Sequence, residues 1–347
     1  MSLDNYSWLS AALEALPKTV PAALLLYGQR GTGKQLLAQA LGQRLLCAEP
    51  TVAGHACGRC ESCHLFSVGN HPDYRLLQPA ADADGAEVAD AEKGSKSKKP
   101  STQIPVNAIR DLTSMTSTVS HRGGARVVVI TPAEALNPAA SNALLKMLEE
   151  PGPSTYFVLV AGEIHRLLPT IKSLCFKLSV RVPDADTGAA WLRDQQAENA
   201  EISLFLASQA PLAALKLSQD EDFWVSRNAL MSALGQGPTD PLELAAVSEK
   251  LDPVMVGRLL TMLVFDLLAM QQGGEVRYNK DMVPELKPLA DRLPGTDLCR
   301  WNDEVRDFTR AANHPLNRRL ALESLFATFP GGTKPRRAGS ERFEARA

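Results

Sequence analysis

Ala22-Ala23-Leu24-Leu25-Leu26-Tyr27-Gly28-Gln29-Arg30-Gly31-Thr32-Gly33-Lys34-Gln35 opens as an apolar run, breaks at glycines and enters a segment, Lys34 to Leu46, with helical spacing at Leu36, Leu37, Ala40, Leu41 and Leu45. The order is strand, glycine loop, helix. Gly28 to Lys34 fits G-x-x-x-x-G-K, a P-loop, in the context that its chemistry demands. Glycines let backbone N–H groups close around phosphate oxygens, Lys34 reaches for the β and γ phosphates, and the helix N-terminus favours the same negative charge. Gly28, Gly31, Thr32, Gly33, Lys34 and Gln35 are therefore the candidate phosphate-binding residues.

The same stretch lacks part of the hydrolytic equipment. Gln35 stands where the motif calls for Ser or Thr, and an amide does not replace a compact hydroxyl in an octahedral magnesium shell. The strand that should end in acidic residues reads Ile130-Thr131-Pro132-Ala133-Glu134, with no carboxylate at the first two positions past the strand. Glu134 lies two residues late, behind a proline, and is expected to be a solvated loop carboxylate, because phosphoryl transfer depends on positioning. Magnesium binding and hydrolysis are not expected. Two readings of the loop stay open: nucleotide held without turnover, or a glycine turn kept for packing.

Arg126-Val127-Val128-Val129-Ile130 and Tyr156-Phe157-Val158-Leu159-Val160 read as buried parallel strands, separated by helical patterns over Val106 to Val119 and Pro138 to Glu150. Strands alternating with helices predict an α/β domain with a mainly parallel sheet over 1–183. Residues 80–103 change from Asp82, Asp84, Glu87, Asp90 and Glu92 to Lys93, Lys96, Lys98 and Lys99, and read as a solvated, flexible insertion. Past Pro183-Asp184 helical patterns dominate through Phe329, including the apolar stretch Val254 to Met270, and 331–347 reads as a frayed tail.

Cys47, Cys57, Cys60 and Cys63 form C-x9-C-x2-C-x2-C, with Gly54 and Gly58 allowing tight turns. Four thiolates suit a closed tetrahedral zinc site, a structural knob with no position left for water or substrate. His55 and His64 are fallback ligands, and Cys175 and Cys299 read as ordinary buried thiols. The 347 residues exceed one core, and 45% hydrophobic with 22% charged residues argues against wholesale disorder. A formal net charge of −2 disfavours a chain that coats nucleic acid, and the short basic segment His121-Arg122-Gly123-Gly124 with Arg126 reads as a solvated turn. Neither a signal core nor an uninterrupted apolar run of roughly 18 residues is seen, so a cytoplasmic location without a membrane partner is expected.

Asn137-Pro138-Ala139-Ala140-Ser141-Asn142-Ala143-Leu144-Leu145-Lys146-Met147-Leu148-Glu149-Glu150-Pro151 resembles the signature helix of clamp-loader subunits. With the cysteine cluster after the P-loop helix and Leu167-Leu168-Pro169-Thr170-Ile171, it makes residues 20–183 similar to bacterial clamp-loader subunits of the AAA+ class. His314 to Glu323 resembles the last helix of the delta-prime collar. The resemblance implies a P-loop AAA+ domain with an inserted zinc module at about 47–63, a helical lid at 184–218 and an all-α collar at 219–330. Gln35, Thr131 and Pro132, Val160-Ala161-Gly162 in the sensor region, and Leu212 at the lid position favour the non-hydrolysing delta-prime type over the ATP-hydrolysing tau/gamma type. Implied partners are delta and tau/gamma subunits in a hetero-oligomer, with the sliding clamp and primer–template DNA met through the complex. One departure is Ser173-Leu174-Cys175, where members carry Ser-Arg-Cys and offer the arginine to a neighbour's ATP. Lys172 and Lys177 are the candidate substitutes, although lysine lacks the planar fork.

Overall fold

Leu24, Leu25 and Leu26 are fully buried, as a strand covered on both faces must be. The computed structural model describes residues 3, 5–17, 19–51, 55–82, 101–117, 120, 122, 124–235, 240–312 and 317–330. Most of the insertion (83–100), Gly54, His121, Gly123, His314 to Leu316 and the 331–347 tail lie outside them. The chain forms two compact units, residues 1–184 with 210–213, and 185–209 with 214–347.

In the first unit, β1 (Ala23–Tyr27), β2 (Tyr74–Leu77), β3 (Arg126–Ile130), β4 (Thr155–Ala161) and β5 (Phe176–Ser179) pair in the order β2-β3-β4-β1-β5. Every pairing is parallel, with Leu25 opposite Leu159 and Val128 opposite Phe157. The helices are α1 (Ser7–Glu14), α2 (Lys34–Leu46), α3 (Glu61–Ser67), α4 (Val106–Ser117), α5 (Pro138–Glu149) and α6 (Pro169–Leu174). Local chemistry sets their starts: Asn137 Oδ1 accepts the Ala140 N–H at 2.8 Å, and Pro138 occupies the first turn of α5. Parallel strands point their C-terminal ends the same way, and the crevice above them is where open α/β sheets take ligands. The P-loop leaves β1 at that edge.

The second unit holds α7 (Ala185–Asp194), α8 (Ala200–Leu206), most of α9 (Pro211–Ser218), α10 (Glu221–Gly235), α11 (Pro241–Ser248), α12 (Pro253–Gln271), α13 (Val283–Arg292), α14 (Gly295–Ala311) and α15 (Arg318–Ala327). One apolar cluster joins Ile202 and Leu206 to Leu230, Leu259, Leu263, Trp301 and Phe326. Asp252 caps α12 by accepting from Val254 and Met255 N–H groups, with Pro253 in the first turn. Among the described residues α12 is the one helix long and apolar enough, by length and composition, to cross a membrane. Arg258 and Asp266 interrupt its sequence, and Val256, Leu259, Leu260, Leu263, Val264 and Leu267 are spent on the core.

Two sequence expectations are corrected here. Cys175 is buried, but Cys299 is exposed, because α14 turns Leu298, Trp301 and Val305 inward and leaves Cys299 on another face. Arg126 is buried rather than solvated, since it begins the central strand β3, and Arg122 pairs with Glu61 of α3.

Candidate functional site

The P-loop lines a cavity of about 690 Å³ together with Tyr6, Thr131, Pro132, Glu134, Gly162 and Leu212. All six motif residues from the sequence reading lie on this one turn, and Gly31, Gly33, Lys34 and Gln35 face the cavity. Thr32 is fully buried, its hydroxyl donating to the Gln29 carbonyl at 3.0 Å and its own carbonyl accepting from the Trp8 indole at 2.8 Å. Gly31 has φ +80°, and a Cβ there would run into Ala213, while the Leu212 N–H bonds the Gly31 carbonyl at 3.0 Å. The loop is thus clamped by α1 on one side and by the first turn of α9 on the other. Nothing in the sequence flagged Trp8, because an indole donor 24 residues away leaves no periodic trace.

Lys34 is only 5% exposed and donates to the Gln29 carbonyl at 2.5 Å. Burial pulls it down from 10.5 to about 8, the Glu134 carboxylate opposing and Arg30 assisting. Its folded value lies below its unfolded one, so between pH 8 and 10.5 the unfolded chain binds the proton that the folded chain has released. Folded stability therefore rises with pH through that window, and below about 8 the cost of the buried charge is present in full. Lys34→Met, which does not titrate, is expected to be more stable than the unaltered chain at pH 7 by on the order of 1–3 kcal/mol, the gap closing toward pH 10.5. Urea denaturation at pH 7, 9 and 10.5 measures it; a gap that widens with pH contradicts the assignment.

Glu134 is a correction. Its side chain is 2% exposed, not solvated, because the 3-10 turn Ala133–Ala135 carries it back over the end of β4. There Oε1 accepts from the N–H groups of Gly162 at 3.0 Å and Glu163 at 3.2 Å, and lies 3.4 Å from Arg30 Nη2. Arg30 also pairs with Glu163 at 2.8 Å. Gly162 is required, since a Cβ there would sit 2.7 Å from Arg30 Cγ. Arg30 and Glu163 were missed by the sequence reading, being a free position of the motif and a loop residue 133 positions away. The result is a cleft whose two cations, Lys34 and Arg30, already face two carboxylates.

The finger region lies elsewhere on this unit. Leu174 packs against the core beside the sheet, Lys172 is half-buried on α6, and Lys177 is exposed on the edge strand β5.

The four cysteines converge. Their sulfurs all lie within 4.8 Å of one another, with Cys47 to Cys57 at 3.5 Å and Cys47 to Cys60 at 3.9 Å. A tetrahedral zinc with Zn–S bonds near 2.3 Å sets its sulfurs about 3.8 Å apart, so the set fits that ion. Backbone N–H groups point at the sulfurs: Cys57 to Cys47 at 3.3 Å, Cys60 to Cys57 at 3.3 Å and Cys63 to Cys60 at 3.5 Å. Neither His55 nor His64 joins the group. Burial pushes the Cys63 thiol up to about 12, whereas at Cys60 N–H donation from Cys63 and Ala48 outweighs burial and brings it to about 6. Such a set ionises as a whole only around a cation. Ser62 ties the knob to α2, donating to the Leu46 carbonyl at 2.6 Å and meeting His71 Nε2 at 2.8 Å.

A family model described as DNA polymerase III, delta subunit, matches residues 8–184, and one described as DNA polymerase III, delta subunit, C terminal, matches 221–329. DNA polymerase III subunit delta' of Pseudomonas aeruginosa is 39% identical, covering 94% of this chain and 99% of its own length. The Escherichia coli K12 protein of the same name is 32% identical, covering 92% and 93%. Among solved structures, a DNA polymerase III gamma subunit-related protein of Thermotoga maritima aligns over 94% of this chain and 99% of that one, at 18% identity and a TM-score of 0.45.

Proposed function

The chain belongs to the DNA polymerase III delta' subunit family, and on that premise we propose that it is the non-hydrolysing member of a clamp-loader complex, a brace that helps place the sliding clamp on primed DNA. The observation that carries this is the state of Glu134. The carboxylate nearest to where a catalytic acid would stand is consumed by two backbone N–H groups and Arg30, while Gln35, Thr131 and Pro132 supply the rest of that wall. A metal-bound triphosphate needs free oxygen ligands there, and the cleft offers none that is uncommitted.

In this reading residues 184–218 act as the lid and 219–330 as the collar. Delta and tau/gamma subunits are the partners, and Cys47, Cys57, Cys60 and Cys63 hold a structural zinc. Clamp and primer–template DNA are met through the complex.

The retained P-loop lysine favours a rival, an ATP-hydrolysing tau/gamma type of subunit, and one experiment separates the two. ATP turnover is measured on the chain alone and assembled with delta and tau/gamma subunits on primed DNA. The isolated chain is expected to show none, and Lys34→Ala to leave the complex's rate unchanged; turnover by the chain that Lys34→Ala abolishes refutes the proposal. Lys172→Ala and Lys177→Ala in the same complex test the finger: a fall in rate with either one assigns it, and unchanged rates dismiss both.

A further inference from the structure

Helix α12 is apolar on two faces, and this chain covers one of them. The inner stripe, from Val256 to Leu267, is buried in the helical core. On the outer stripe Val254 is 37% exposed, Phe265 is 56% exposed and Met262 is half-buried, positions that helical periodicity places on one side. This second face is why α12 carries more apolar character than its packing uses. Exposed large apolar residues scattered singly need no explanation, but here they line a groove of about 490 Å³ between α12 and α14. The two helices approach closely there because Gly257 leaves room for Thr309.

The charge of the groove says what covers it. Arg258, Arg306 and Arg310 line it, and no carboxylate does. Arg306 and Arg310 pair with Asp303 at 3.5 Å and Asp307 at 3.1 Å on α14 itself. Exposed pairs one turn apart contribute little, so both guanidiniums are free to re-pair with a better placed acid. Arg258 donates to the Leu206 carbonyl at 2.6 Å, which holds it at the groove wall.

We propose that this groove docks an amphipathic helix of a neighbouring clamp-loader subunit, its apolar side chains seated on Val254, Met262 and Phe265 and its flanking Asp or Glu side chains paired with the three arginines. The inference rests on the clamp-loader reading and adds to it the surface and the chemistry of the partner. A helix fits because an inter-helical groove with an apolar floor and a charged rim takes anchors at i, i+3, i+4 and i+7.

The test compares the unaltered chain, Phe265→Asp, the double variant Arg306→Glu with Arg310→Glu, and Arg300→Glu as a control, since Arg300 pairs with Asp297 and does not line the groove. Assembly with delta and tau/gamma subunits is followed by sedimentation at low and high salt. Phe265→Asp and the double variant are expected to weaken assembly roughly ten-fold or more, the Arg300 control not at all, with melting temperatures unchanged. Normal assembly by both groove variants overturns the inference and leaves the clamp-loader reading intact. If the unaltered chain does not assemble, that reading fails and the inference with it. Self-association of the chain alone, or binding to phosphatidylglycerol–phosphatidylethanolamine vesicles, that is lost in Phe265→Asp puts another occupant on this face and likewise overturns it.

Discussion

Arg227→Leu is expected to cost the helical unit about 3–5 kcal/mol, the range for breaking one side of a buried ion pair. Arg227 is 0% exposed on α10. It grips Asp281 with both ends of its fork, Nη1 to Oδ2 at 2.6 Å and Nη2 to Oδ1 at 3.0 Å, and Nη2 also reaches Asn279 Oδ1 at 2.9 Å. Asn279 in turn donates its backbone and side-chain N–H groups to Asp266 of α12, each at 2.8 Å, and Asp266 further accepts from Arg277 and Tyr278. One loop is thereby stitched to two helices. Removing the guanidinium strands Asp281 and leaves Asn279 Oδ1 short of a donor, and leucine refills only the aliphatic volume. Arg227→Lys is expected to lose less, because it keeps the charge but not the bidentate geometry. Urea unfolding of the helical unit measures both; a loss under about 1 kcal/mol for Arg227→Leu contradicts the network's role. Pairing Arg227→Leu with Asp281→Ala is expected to recover part of the loss, since no orphaned carboxylate remains.

How far a feature could be read from sequence depended on whether its cause is local. β1, β3 and β4 were legible because both faces are buried, which writes a continuous apolar run. β2 and β5 were not. They are four-residue edge strands carrying Arg75 and an exposed Lys177, so neither an apolar run nor a clean alternation exists to be found. The P-loop and the four cysteines were legible because phosphate cradling and metal ligation fix spacing over short distances. Glu134 was misread for the opposite reason. Its burial is produced by N–H groups 28 and 29 residues downstream, and Pro132 before it suggested only a break. The same holds for the Arg227 network, whose members lie 52 and 54 residues apart from it in sequence.

The cysteine cluster carries the other large expected effect. Cys60→Ala, or a strong chelator, is expected to remove the metal, from about one zinc per chain to near none, and to unfold the segment from Cys47 to Ser67. Little else holds this segment. Helix α3 has seven residues, below the roughly 12–15 at which a helix is marginal on its own, and Ser62 and Cys63 are its buried residues. A structural zinc contributes on the order of 10 kcal/mol in isolated zinc-binding peptides, far more than the remaining anchors, which are the Ser62 bonds, the Phe66–Tyr74 ring contact and the exposed Arg122–Glu61 pair. Those anchors reach no further than the end of α2 and the edge strand β2, so the loss should stop there. Hydrogen exchange measures this directly: protection vanishes over 47–67 and persists in β1, β3 and β4. A metal-free chain with that segment still protected would mean that the cysteines fold it without an ion. Because the four sulfurs fill a tetrahedral shell, no position is left for water or substrate. The change should therefore register in stability and assembly rather than in any chemistry at the metal.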